Sequence, residues 1–166
     1  MLLVRGTKKV LDRLGGATAS DADRSTGQLG DWYVNVLFFK PRLALFVNEA
    51  TLLPVLVPFA PVATLLDRFP PTLQSHLQAH GVPVSFAEPE VAEMKPCRLA
   101  KTASRSVLGV MNEFKFLADT YIKLDDETNP MSLSLRLATT PCGPLYKRHV
   151  SPDRELAALV SSILGT

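Results

Sequence analysis

The sequence predicts an α+β fold: a small, mostly antiparallel sheet packed by several helices, in one domain spanning residues 1–166. Three observations carry that prediction. Residues 32–39 alternate Trp32, Val34, Val36 and Phe38 on one face with Tyr33, Asn35, Leu37 and Phe39 on the other. Both faces are largely apolar, as in a strand covered on two sides and central in its sheet. Lys40-Pro41-Arg42 then reads as a turn, because proline presets φ for it, and residues 43–48 return as the hairpin partner. Finally, residues 104–123 form the only long, Pro-free amphipathic segment, with Val107, Met111, Phe114, Ala118 and Tyr121 spaced by four and three. That spacing gives a helix with one face turned to a core.

The other elements follow from punctuation. Residues 2–5 read as a short strand, and Thr7 stands as N-cap of a helix through Leu14 that Gly15-Gly16 ends. Residues 17–30 are polar, without periodicity, and read as a mobile loop. Residues 51–57 add an edge strand, where Pro54 is tolerated. Pro61 suits the first turn of a helix reaching Leu66 or Phe69; Pro70-Pro71 interrupts it, and a second helix runs from Thr72 to Gly81. Residues 88–95 read as a short acidic surface helix, and residues 98–101 as a strand. Leu133, Leu135 and Leu137 alternate, which favours strand over helix for residues 132–138. Ser151-Pro152-Asp153 opens a last helix ending near Leu164.

Composition narrows the function classes. With 166 residues, 46% hydrophobic and 20% charged, the chain is a packed globule. Eighteen basic against sixteen acidic side chains leave +2, so any polyanion binding must come from clustering of charge. Residues 50–66 carry no charge, but Pro54, Pro58 and Pro61 each delete a helical hydrogen bond that lipid cannot replace; no membrane span is expected. Cys97 and Cys142 read as reduced thiols of a cytoplasmic protein, since no secretory signal pattern precedes them. No C-x-x-C, P-loop, G-x-S-x-G or G-x-G-x-x-G occurs, and no metal or cofactor is expected. Asp21-Ala22-Asp23-Arg24-Ser25 lacks the Gly and Glu of a calcium loop, and His76 with His80 reads as a helix C-terminus feature more than as a metal pair.

The sharper clue is where cations sit. Lys8 and Lys9 open the first helix, and Arg98, Lys101 and Arg105 surround the start of the long one. A cation in a first turn opposes the helix dipole by roughly 0.3–1 kcal/mol, and the sign reverses when an anion binds there. Gly109 and Asn112 lie on the same flank as Arg105; a close neighbouring backbone is the plainer reason for Gly109, a bound ligand the other. Tyr146, Lys147, Arg148 and His149 form a second aromatic-basic cluster. Asn35 needs partners inside its apolar strand; if the hairpin brings it toward Asn48 and Glu49, a polar pocket results.

Gly30-Asp31-Trp32-Tyr33 with Asn35, Asn48-Glu49 with Thr51-Leu52, Lys101-Thr102 with Arg105-Ser106-Val107-Leu108-Gly109 and Met111-Asn112, and Thr140-Pro141 with Gly143 resemble the motif string of a family of small bacterial proteins. That family is a domain of unknown function, so the resemblance implies a bacterial, single-domain, soluble protein and no chemistry.

Three functional expectations result. The first is binding of a phosphate-bearing ligand or nucleic acid through a basic helix-N-terminus site, with Lys8, Asn35, Glu49, Lys101, Arg105 and Asn112 as candidate residues. The second is an enzyme with an unfamiliar polar site built from Asn35, Glu49, Lys101 and Arg105. The third is a non-catalytic interaction module, docking a protein partner or a second copy through the apolar segment 54–61.

Overall fold

A five-stranded mixed sheet organises the computed structural model, which describes all 166 residues. Strand β1 (Leu2–Gly6) leads into α1 (Lys8–Leu14), then β2 (Trp32–Leu37), β3 (Leu43–Asn48) and β4 (Pro54–Pro58). Helices α2 (Leu65–Ala79) and α3 (Val84–Ala92) precede β5 (Cys97–Lys101); α4 (Arg105–Asp125), α5 (Pro130–Leu137) and α6 (Pro152–Leu164) complete the chain. The strand order is β4-β3-β2-β1-β5. The β2–β3 and β3–β4 pairs are antiparallel, whereas β1 runs parallel to both β2 and β5. The α+β architecture is the one expected; half of its pairings are parallel, because α1 carries the chain back from β1 to β2 as a crossover.

Two cores share this sheet. Trp32, Val34 and Val36 join Val4, Phe46, Val55 and Leu99 on the face covered by α1, α2, α3 and α6. Tyr33 and Leu37 join Leu45, Val47 and Leu56 on the face covered by α4 and α5. The long helix presents Val107, Val110, Met111, Phe114 and Ala118 to that second core. Each such large side chain, fully buried, stabilises by roughly 1.5–3 kcal/mol.

The structure corrects four local expectations. First, α2 runs unbroken through Pro70 and Pro71. Leu65, Phe69, Leu73 and Leu77 recur every four residues in the core, and Phe69 stacks on Phe46 at 4.0 Å and meets Trp32 edge-on at 5.0 Å. Four such burials, at roughly 1.5–3 kcal/mol each, outweigh a cost of about 3 kcal/mol per interior proline. Second, the 132–138 segment is helix α5, not strand. Asn129 caps it by accepting from the Ser132 amide, Pro130 occupies its first turn, and Leu133 and Leu137 point inward one turn apart. The Ser134 hydroxyl accepts from the Leu56 amide at 2.9 Å, so this helix covers the open edge of β4. Third, α3 starts at Val84, four residues earlier than the acidic stretch suggests, and buries Glu90.

Fourth, residues 17–30 are pinned rather than mobile. The Thr18 and Ala19 amides donate to the Leu99 carbonyl, and the Leu99 amide donates to the Thr18 hydroxyl at 3.0 Å. The loop therefore lines the outer edge of β5. Farther on, the buried Glu90 carboxylate accepts from the amides of Gln28 (2.6 Å) and Leu29 (3.0 Å). A Cβ at Gly27 would stand 2.4 Å from Glu90 Oε1, so only glycine lets the carboxylate come this close.

Asn48 ties the same loop to the turn between β3 and β4. Its Nδ2 donates to the carbonyls of Leu29 (2.8 Å) and Asp31 (3.3 Å), while its Oδ1 accepts from the Thr51 amide and hydroxyl, both at 2.9 Å. All four partners lose their bond if the amide is removed, and Asn48 is fully buried. Asn48→Ala is expected to cost about 3 kcal/mol of stability. Urea unfolding checks this as a lower midpoint at unchanged slope.

Candidate functional site

The strand order creates a crevice at one edge of the sheet. Gly6, the last residue of β1, lies opposite Lys101, the last of β5. From there β1 feeds α1 on one face and β5 feeds α4 on the other, as their core residues show. Where neighbouring parallel strands send their connections to opposite faces, their carboxyl ends diverge and leave space for a ligand. A cleft of about 490 Å³ lies here, lined by Leu3, Arg5, Ala17, Ala19, Ser20, Asp21, Asp23, Arg24, Ala100, Lys101 and Thr102.

Its charged groups are mixed and partly committed. Arg5 interrupts the apolar strand Leu2-Leu3-Val4-Arg5-Gly6; its Nη1 donates to the Lys101 carbonyl at 3.0 Å, and its Nε lies 3.5 Å from Asp31. Arg24 Nη1 donates to the backbone carbonyls of Asp21 and Asp23, and Asp23 accepts from the Ser20 amide. The Lys101 ammonium makes no ion pair. Arg5 and Arg24 escaped the sequence reading; the only signal for Arg5 was a charge in an otherwise apolar strand.

Beyond Thr102 the long helix begins. The Tyr33 hydroxyl, reaching up from β2, accepts from the Ser104 amide at 3.0 Å, and Ser104 caps by accepting from the Val107 amide at 3.2 Å. That leaves the first two helical amides, of Arg105 and Ser106, without a protein acceptor, as expected at a helix start. Arg105 is exposed and stands at the first helical position. Lys8 occupies the corresponding position of α1 and is also exposed. Neither lines the cleft.

The remaining candidates disperse. Thr7 occupies the N-cap position of α1 but does not cap; its hydroxyl donates to Asn35 Oδ1 at 2.8 Å, and the same oxygen accepts from the Val36 amide. Asn35 thus braces the turn between β1 and α1. It pairs across the sheet with Leu45, whereas Asn48 pairs with Trp32. The hairpin register therefore holds Asn35 about 13 Å along the strand from the Asp31–Glu49 end, and the pocket of Asn35, Asn48 and Glu49 does not form. Asn112 lies two turns beyond Arg105 on the exposed side of α4. At Gly109 an added Cβ would meet nothing within 4 Å, so no neighbouring backbone explains that glycine.

Other sequence features resolve into structure. Arg148 and the amide and ring of His149 all converge on the buried Glu155 carboxylate, leaving only Tyr146 and Lys147 free in that cluster. The His76 ring bonds the Thr72 carbonyl through Nδ1 at 2.8 Å, and burial holds both His76 and His80 below the usual imidazole range. No three His, Cys, Asp or Glu side chains form a group that could hold a metal ion. Cys97 and Cys142 pack against opposite cores and are free, and burial pushes both thiols up to about 11. The segment 54–61 is mostly interior: residues 54–57 and Phe59 are buried, leaving Pro58, Ala60 and Pro61 exposed. That removes the continuous apolar docking surface the sequence suggested. No helix is long and apolar enough to cross a membrane.

Fold and cleft together define a three-layered α+β domain whose mixed sheet opens a charged crevice at the ends of its parallel strands. The family model described as Domain of unknown function (DUF6933) matches residues 3–155, and the chain belongs to that family. Neither a curated protein nor a solved structure matches it.

Glu49 allows a test of the local electrostatics. Its backbone amide donates to the Asp31 carbonyl, and partial burial, then the Asp31 charge, raise its carboxyl above the usual range against the opposing pull of Arg5. A carboxyl raised in the folded state adds stability at low pH, which is lost as pH rises through its folded value. Glu49→Gln is therefore expected to raise the melting temperature at pH 7 and leave it unchanged at pH 3, as thermal unfolding at the two pH values would show.

Proposed function

We propose that this protein binds a small phosphate-bearing ligand in the cleft between the β1–β5 pair and the loop of residues 17–24. One observation carries the reading: the Arg5 guanidinium, held on the Lys101 carbonyl, lines one cleft with Arg24, Lys101 and Thr102, and the chain passes from Thr102 through the Ser104 cap into α4. There the amides of Arg105 and Ser106 lack acceptors, and the Arg105 side chain adds a cation. Free amides, a helix dipole and cations directed at one anion reinforce each other. Asp21 and Asp23 on the loop wall favour a ligand that also offers hydrogen-bond donors or a positive group beside its phosphate. Two free, reduced cysteines fit a cytoplasmic setting.

The enzyme reading from Asn35, Glu49, Lys101 and Arg105 has less support, because the register keeps Asn35 and Glu49 apart. Lys8, Asn112 and Arg105 are all exposed and outside the cleft lining; only Arg105 follows a lining residue, Thr102, within one turn of chain, and it alone is a proposed contact.

Calorimetric titration with pyrophosphate and a panel of nucleotides tests the proposal. Lys101→Ala and Arg105→Ala are each expected to weaken binding about tenfold, the loss of one charge-assisted contact. Affinities untouched by both substitutions would sink it.

A further inference from the structure

Phe38 leaves the end of β2 and exposes 43% of its surface at the tip of the β2–β3 hairpin. Three cations surround its ring: Lys9 Nζ and Arg13 Cζ at 5.3 Å from the centroid, and Arg42 Cζ at 5.2 Å. None of them pairs with a carboxylate, and neither does Lys40 in the same turn. Three positive charges thus gather about one exposed aromatic ring with a fourth, Lys40, in the adjoining turn; Arg13 Nη1 also donates to the Lys9 carbonyl at 3.1 Å, and Asp12 is the one acid on this helix.

Two partly apolar hollows border this cluster. One, of about 480 Å³, includes Phe38, Phe39, Pro41, Leu43 and Ile122. The other, of about 420 Å³, is lined by Arg13, Arg42, Phe59, Ala60 and Val62. The one acid at the rim, Asp119, is already paired with Lys123 at 2.9 Å. A hollow that holds the aromatic ring, then cations, then a second hollow that two of those cations rim is an arrangement that complements base, phosphate and base of a single strand of nucleic acid. Aromatic rings take bases of any sequence by stacking, and cations beside them take the phosphates.

We propose that the hairpin tip and the adjoining side of α1 bind single-stranded nucleic acid, with Phe38 as stacking platform and Lys9, Arg13, Lys40 and Arg42 as phosphate contacts. The site shares no residue with the β1–β5 cleft and stands independently of the function proposed there. An acidic peptide is the weaker occupant. Both β2 and β3 are interior strands, so the tip offers no free sheet edge on which a peptide backbone could pair.

Fluorescence anisotropy with labelled twelve-nucleotide oligo(dT) and oligo(U) tests the proposal on the full chain. Binding is expected at 50 mM salt and to weaken at 200 mM, with the logarithmic salt slope flattened by about 0.7 in each of Arg13→Ala and Arg42→Ala. Phe38→Ala is expected to weaken binding about tenfold without changing that slope, and Phe38→Trp to restore it. Because Phe38 is exposed, both variants should keep the wild-type circular dichroism and melting temperature. Absence of binding at 50 mM salt, equal affinity of the Phe38→Ala protein, or equal affinity for a labelled polyglutamate peptide would each overturn the proposal.

Discussion

Everything in this fold depends on β2 being buried on both faces. Trp32, Val34 and Val36 must be covered from one side, Tyr33 and Leu37 from the other, and a single helical layer cannot do both. The chain meets that constraint by sending α1, α2, α3 and α6 to one face and α4 and α5 to the second. Because α1 and α4 go to opposite faces, the connections after β1 and β5 part beyond the paired Gly6 and Lys101. The Tyr33 hydroxyl joins the two levels directly: its ring belongs to the second core, and its oxygen holds the first residue before α4.

The same constraint sorts polar groups by edge. At one end of the sheet, buried polar side chains serve the backbone: Asn48 and Glu90 satisfy amides and carbonyls of the 27–31 region that no strand pairing reaches. At the other end, Lys9, Arg13, Lys40, Arg42, Lys101 and Arg105 make no ion pairs and stay exposed. A net charge of +2 hides this asymmetry, since acids elsewhere cancel the sum and the nearest, Asp12 and Asp119, pair with none of these cations. Local potential decides what an edge can bind.

Much of the architecture was legible in the chain. The two-faced apolar alternation of residues 32–37, the helix begun by Ser104 and the edge position of β4 follow from side-chain period and proline placement, which act over a few residues. The misread elements share a cause. In α2, two prolines argue for a break that four core side chains override; in α5, a Leu-x-Leu-x-Leu alternation argues for strand, while the Asn129 cap and the contact of Ser134 with Leu56 select helix. The 17–30 loop lacks periodicity because its bonds run to Leu99, Leu3 and Glu90, all far along the chain or across the sheet. Of the candidate site, Lys101 and Arg105 were legible as cations at a helix start; Arg5 and Arg24 were not, since nothing local says that β1 and the loop meet β5 there.

By itself the sequence determined which segments are strand or helix wherever one period ran uninterrupted, and that no common catalytic motif is present. Tertiary structure alone decided that β1 lies between β2 and β5, that Asn35 stands apart from Glu49, and that Phe38 rests among Lys9, Arg13 and Arg42. The division has a physical reason. Periodicity and capping are set by interactions within a few residues, whereas strand order and register emerge from burying both faces of one sheet at once, a requirement that no local window contains.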